Sequence, residues 1–167
     1  MNYFKISIGI FITLAASRFI PHPPNFTSLL ALTFYVPTLL GKRFIPTLIL
    51  SFIITDYFIG MHSLTFFTWG SIVLISYLSK FFSKSFLKRI TGALIGAFIF
   101  FIITNLGVWL NGSYGYSING LIICYTLALP FFAYSLISTF IFSNIIEAIY
   151  YQAKVVYKKY FLINKIS

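Results

Sequence analysis

Six apolar runs, at about 4–20, 27–41, 44–60, 64–80, 89–107 and 118–149, take up most of this chain and leave only short polar stretches between them. Each of the first five holds about 15–19 residues, or roughly 22–28 Å of helix at 1.5 Å per residue. That approaches the roughly 30 Å of a bilayer's hydrocarbon core. A water-soluble fold of 167 residues has nowhere to put so much apolar surface. Hydrophobic residues make up 59% of the chain and only 8% are charged, against about 25% in soluble domains. The expected class is all-α: a polytopic membrane protein, one integral domain over residues 1–167, built as a six-transmembrane-helix bundle. The run at 27–41 is the shortest. The sixth run is long; it is expected to bend at Pro130, where a backbone hydrogen bond is lost, and to continue past the membrane.

A net charge of +10 is of the sign that suits nucleic acid, but the basic residues sit in short clusters between the apolar runs. That is how a membrane protein marks its cytoplasmic side. Threaded as six helices from the inside, the chain places Lys5, Lys42, Arg43, Lys80, Lys84, Lys88, Arg89, Lys154, Lys158, Lys159 and Lys165 on the inner face, and only Arg18 outside. Both termini are therefore expected in the cytoplasm, and no nucleic-acid partner is expected. Lys5, the run after it and "LAAS" before Arg18 also have the make-up of a cleaved signal peptide. Its removal leaves five helices with the same loop orientation. The single cysteine, Cys124, excludes an internal disulfide.

Orientation sorts the remaining polar groups. The inner loops "GKR" and "KFFSKSFLKR" and the tail "KVVYKKY" are basic tethers suited to anionic lipid headgroups. The outer side receives Arg18, His22 and Asn25, then Asp56 and His62, with Trp69 in the outer third of its helix. It also receives Asn105 and Trp109, and Asn111, Tyr114, Tyr116 and Asn119 from the loop "NGSYGYSING". Asp56 lies about one turn inside its apolar run. An unpaired charge at such depth is costly, and Arg18 is the natural partner. The pair either pins the first helix to the third or makes the polar floor of a ligand site; both readings stand. In "PHPPN", prolines on both sides of His22 fix φ and stiffen the loop. Such a loop is a plain helix stop or a pre-ordered wall of a site. Trp69, Trp109, Tyr114 and Tyr116 suit an interfacial aromatic belt or stacking on a flat ligand. Gly92 and Gly96 form a G-x-x-x-G pair that permits close helix packing. Glu147 is expected to pair with Lys154.

Several chemistries find no support. There is no G-x-x-x-x-G-K-[ST] loop, no H-E-x-x-H, no G-x-S-x-G and no carboxylate pair. His22, Asp56, His62 and Cys124 lack metal-ligand spacing. No cofactor, no metal and no enzymatic activity are expected. "NFT" and "NGS" match glycosylation acceptors, which matter only in a eukaryotic secretory pathway.

Four stretches carry a resemblance. "SRFIPHPPNFTSLLAL", "SFIITDYFIGMH", "FFIITNLGVWL" and "NGLIICYTLALPFF" look like the hallmark blocks of an uncharacterised group of small bacterial six-helix membrane proteins. That group is similar to the substrate-binding S components of energy-coupling-factor vitamin transporters. The resemblance implies a multi-pass protein of the bacterial cytoplasmic membrane that captures a vitamin or precursor at its outer face. It implies as partners a transmembrane coupling protein with ATPase subunits. S components that dock a shared coupling protein usually show a small-x-x-x-small pattern on the first helix; here Gly9 and Thr13, or Ala15 and Ala16 nearby, are what stands in that place. The function expected is transport by binding a small organic solute. Its rival is a non-transporting membrane subunit or scaffold whose outer polar face binds a partner protein. An outward cavity lined by the named residues favours the first, and a filled, flat face the second.

Overall fold

The computed structural model describes residues 3–163, with side chains as far as Val156. The side chains of Lys158 and Lys159, and all of Lys165, lie outside the described residues. Among those described there is no strand. Six α-helices follow one another: α1 (Tyr3–Phe19), α2 (Leu29–Tyr35), α3 (Ile45–Ile59), α4 (Thr65–Leu78), α5 (Phe86–Leu110) and α6 (Ile118–Ile163). A π-helical turn, Val36–Leu40, extends α2, and a 3-10 turn, Ser79–Phe82, extends α4.

Cross-links show which ends lie together. Arg18 at the end of α1 reaches Asp56 near the end of α3. The Ser17 and Ser28 hydroxyls meet at 2.7 Å, and Asn111 donates to Ser63. The far ends of α1, α3 and α5 and the starts of α2, α4 and α6 thus form one end of the bundle, the Arg18 end. At the other, the Arg89 end, Tyr3 of α1 meets Thr47 of α3.

Helix α2 is the hub. It packs against all five of the other helices, and every residue from Leu29 to Tyr35 is buried. A helix apolar all round is one that has protein or lipid on every side. With its π-helical turn it covers residues 29–40, about 18 Å at 1.5 Å per residue. That is short of a bilayer, and the protein around it does the enclosing.

Among the described residues, three helices are long and apolar enough to cross a membrane: Thr65–Phe82, Phe86–Leu110 and Ile118–Val156. α1, at 17 residues, and α3, at 15, are apolar but shorter. The surface agrees with a lipid surround. Phe66, Phe58, Leu87 and Leu127 are exposed, while Ser51, Thr55, Ser71, Ser76, Thr139 and Ser143 are buried. In lipid, burying an apolar side chain gains little, because the tails are as apolar as leucine; close packing and internal hydrogen bonds hold the helices instead.

The π-helical turn has a local cause. Pro37 has no N–H and its ring crowds the carbonyl four residues back, that of Thr33. That carbonyl would be left unpaired at the centre of the bundle. The Ser76 hydroxyl from α4 donates to it at 3.1 Å, and both residues are buried. A freed backbone group in a membrane protein is re-satisfied in this way by a neighbouring helix.

The G-x-x-x-G expectation matches the packing of α5. A Cβ on Gly92 would lie 2.5 Å from the Phe82 Cβ, and one on Gly96 would lie 2.8 Å from the Ile75 Cγ2. α6 differs from its expected limits: it runs as one helix of 46 residues through Pro130, about 69 Å at 1.5 Å per residue. That is more than twice a hydrocarbon core.

Candidate functional site

The residues singled out at the Arg18 end divide into those that gather at a cavity and those that do not. The floor is an ion pair. Arg18 Nη2 donates to Asp56 Oδ1 at 2.6 Å, and Trp69 Nε1 donates to Asp56 Oδ2 at 2.8 Å. Arg18 Nη1 donates to the Thr55 hydroxyl, and the guanidinium carbon lies 4.5 Å from the centre of the Phe52 ring. The Asp56 side chain is 3% exposed and that of Arg18 14%. Both carboxylate oxygens are therefore taken, and the buried charge is compensated within the protein. Trp69, expected as a stacking face, instead spends its N–H on the carboxylate and packs on the core through its ring.

Above this floor the loop "PHPPN" makes a reverse turn. The Phe26 N–H donates to the Pro23 carbonyl at 3.0 Å, and Asn25 has φ +63°. A type II turn requires a left-handed residue at the third position and favours proline at the second, and Asn25 and Pro24 stand there. Asn25 is among the few side chains that tolerate that region. The stiffness expected of this stretch thus has a defined geometry.

The turn overhangs a cavity of about 250 Å³, whose lining includes Arg18, His22, Asn25, Asp56 and His62. A second cavity, of about 270 Å³, adjoins it and includes Asn105. The two share Asn25, Thr68, Phe100 and Ser135. Six of the nine expected ligand-binding residues therefore line this paired space: Arg18, His22, Asn25, Asp56, His62 and Asn105. Trp69, Trp109 and Tyr114 do not. Trp109 donates its N–H to the Ser117 carbonyl at 3.2 Å, which ties down the following loop. Asn105 gives an amide hydrogen to the Phe101 carbonyl, one turn back on its own helix.

Hydrogen bonds set the tautomers of the two histidines. His22 Nδ1 is 2.7 Å from the Pro23 carbonyl, which can only accept, so Nδ1 carries the proton. In neutral His22, Nε2 is then an acceptor. His62 Nδ1 accepts from the Leu64 N–H at 3.2 Å, so in neutral His62 the proton sits on Nε2, a donor. The rim of the cavity thus offers one imidazole acceptor and one imidazole donor.

Thr68, Phe100 and Ser135, which line both cavities, are among the lining residues that sequence reasoning missed, as are Thr27 and Thr104. Ser135 stands inside the longest apolar run, and its only signal is a four-residue spacing with Thr139, Ser143 and Glu147 that puts all four on one face of α6.

A second buried ion pair lies at the Arg89 end and corrects the expected Glu147–Lys154 bridge. Arg89 Nη2 donates to Glu147 Oε2 at 2.6 Å, and Nε donates to Oε1. Arg89 Nη1 donates to the Ser83 carbonyl. Glu147 is 5% exposed and faces α5. Lys154 is exposed, two turns further along, and sits over the Tyr150 ring at 4.7 Å. A charge facing inward takes the cation that is also inside, and a planar guanidinium matches a carboxylate with two parallel hydrogen bonds as an ammonium does not.

These features define an all-helical protein with helices long and apolar enough to cross a membrane, compensated buried charges, and a polar cavity at one end. The chain belongs to a family of unknown function, DUF6580, whose pattern matches residues 2–160. No curated protein and no solved structure matches it.

Proposed function

We propose that this chain is a multi-pass protein of the bacterial cytoplasmic membrane, with both termini inside, that binds a small organic solute at its outer face as part of its transport across the membrane. In this orientation the Arg18 end is external. The observation that carries the reading is the paired cavity at that end. Its volume, about 250 and 270 Å³ in adjoining parts, comes within reach of the roughly 300–1,000 Å³ of small-molecule sites. Its polar groups converge from α1, α3, α5 and the turn at 23–26. A flat face prepared for a protein partner would not be hollowed in this way. Arg18 and Asp56 neutralise each other, so the pair offers no net charge. The mouth presents a donor, an acceptor and the amide of Asn25. An uncharged or zwitterionic heterocycle with both donors and acceptors on its edge suits it, and the vitamin class implied by the resemblance is of that kind. Without a nucleotide-binding loop in the chain, energy for uptake comes from elsewhere, and a coupling protein with ATPase subunits is the partner proposed.

The test is native mass spectrometry of the protein purified in mild detergent. The expected result is one bound molecule of a few hundred daltons on the wild type, at distinctly lower occupancy on His22→Ala at equal yield. A wild type free of any small molecule, together with no thermal stabilisation by a panel of water-soluble vitamins, would sink the proposal.

A further inference from the structure

An apolar groove of about 430 Å³ runs between α1 and α6, over the π-helical extension of α2. Ile6 and Gly9 line it on one side, Ile149 and Ala153 on the other, with Val36 and Leu40 between. It lies toward the Arg89 end. Gly9 leaves it open: a Cβ built there meets nothing within 4 Å.

All three walls end in a cation at the same end of the groove. Lys5 precedes Ile6, Lys42 follows Leu40 by two residues with its ammonium 5.8 Å from the centre of the Tyr77 ring on α4, and Lys154 follows Ala153; all three are exposed and stand just beyond the groove's own lining. Lys154 rests over the ring of Tyr150, which itself lines the groove. The start of α1 lies beside Lys42 and Arg43, because Tyr3 stacks on Phe44 at 4.7 Å and donates to the Arg43 carbonyl. No acidic residue balances these charges. The only two in the chain, Asp56 and Glu147, are both committed to arginines.

We propose that this groove is a site for an anionic phospholipid, with an acyl chain along α1 and α6 and the phosphate among Lys5, Lys42 and Lys154. The inference rests on the membrane-spanning reading and not on the identity of any transported solute. An apolar slot with exposed cations beyond one end matches an amphiphile with an apolar tail and an anionic head. In the proposed orientation those cations face the cytoplasmic leaflet, where anionic lipids draw juxtamembrane lysines. The lining is mostly apolar: its polar side chains are Thr13, whose hydroxyl already donates to the Gly9 carbonyl, Tyr35 and Tyr150, so a water-soluble solute finds little there to bond. Lysine is suited to the task because its ammonium stays in water while its stem lies along apolar surface.

The experiment uses the full chain in nanodiscs of equimolar phosphatidylglycerol and phosphatidylcholine with matched acyl chains, followed by native mass spectrometry. The wild type is expected to retain one phosphatidylglycerol in preference to phosphatidylcholine by about tenfold. Gly9→Leu, which sets a side chain into the slot from a position where a Cβ meets nothing within 4 Å, is expected to lose that molecule with an unchanged melting temperature. Joint replacement of Lys5, Lys42 and Lys154 by Gln is expected to abolish the preference and leave weak retention of both lipids. Equal retention of the two lipids by the wild type, or retention undiminished in Gly9→Leu, overturns the proposal, as does a polypeptide seated on the groove in place of lipid. If the chain is recovered from water without detergent, the membrane reading fails and takes the groove with it. Loss of lipid preference in a chain still held in membranes defeats the groove alone.

Discussion

Arg18 and Asp56, 38 residues apart in the chain, meet at 2.6 Å, and the second oxygen of the carboxylate is held by Trp69. The charge of Asp56 is thus divided between a cation from α1 and an indole from α4, and one buried group ties three helices. Breaking such a pair from one side leaves a charge in a place where it cannot be solvated, at a cost of about 3–5 kcal/mol. Asp56→Asn and Arg18→Gln are each expected to lower the thermal stability in detergent. The double variant is expected to lose less than the two single losses added together. Additive losses would show that the two side chains act independently. Trp69→Phe removes one hydrogen bond to a charged group and is expected to cost about 1.5–3 kcal/mol.

The Arg89–Glu147 pair permits a sharper comparison, since Glu147 has a near neighbour in sequence that it does not use. Glu147→Gln strands a buried guanidinium and is expected to cost about 3–5 kcal/mol. Lys154→Gln removes an exposed ammonium and is expected to stay within about 0.5 kcal/mol of the wild type. Chemical or thermal unfolding of the two variants decides it. Equal effects would mean that Glu147 answers to Lys154 after all.

Ser76 and Pro37 are expected to be coupled although they do not bond to each other. Ser76 serves the Thr33 carbonyl that Pro37 leaves without a partner. Ser76→Ala should cost about 1–3 kcal/mol, the penalty for a buried polar group left unpaired. In a Pro37→Ala background the backbone supplies its own donor, and the same Ser76→Ala change should cost distinctly less. A cost that does not depend on residue 37 would dissociate the hydroxyl from the proline.

Much of this arrangement is visible in the sequence, for physical reasons that differ by residue. The helices are legible because hydrophobic run length is imposed by whatever surrounds them, whether lipid or protein. The pairing of Asp56 was legible because the charge rule leaves Arg18 as the only Lys or Arg on its side. Glu147 had many cations to choose from, and proximity in sequence pointed to Lys154. What decided it was which way each side chain faces, and a single run of apolar residues does not encode that. The same holds for Trp69 and Trp109. Both are amphipathic residues near a helix end, but one turns to Asp56 and the other to Ser117. The brevity of α2 was half legible, as its run was the shortest; its place at the hub depends on contacts with every other helix.

Topology follows from the same charges. Eleven of the twelve lysines and arginines fall on one side when six helices start inside. Reporter fusions after residues 24, 61 and 113 are expected to read as external, and fusions after 42, 84 and 167 as internal. An external signal from the fusion at 84, within the basic stretch before α5, would reverse the orientation and put the paired cavity on the cytoplasmic face.

The cavity itself makes a graded prediction. His22 and His62 flank its mouth with opposite hydrogen-bonding character, one free acceptor and one free donor. A ligand that uses either loses about 1–3 kcal/mol when the imidazole is removed, the usual penalty for a lost buried hydrogen bond. His22→Ala and His62→Ala are therefore expected to weaken binding of the co-purified solute by roughly 5- to 150-fold. Both residues are exposed, so neither change should disturb folding. Trp109→Phe serves as the contrast. Its ring lies outside the cavity and its N–H is spent on the Ser117 carbonyl, so affinity should be unchanged while the loop at 111–117 loosens. Asn105→Ala lies between these limits, because one of its amide hydrogens is already given to the Phe101 carbonyl. Equilibrium binding for the four variants, with melting temperature as the control for folding, gives the order. If Trp109→Phe weakens binding as much as His22→Ala does, the ligand sits on the loop after α5 and not beneath the proline turn.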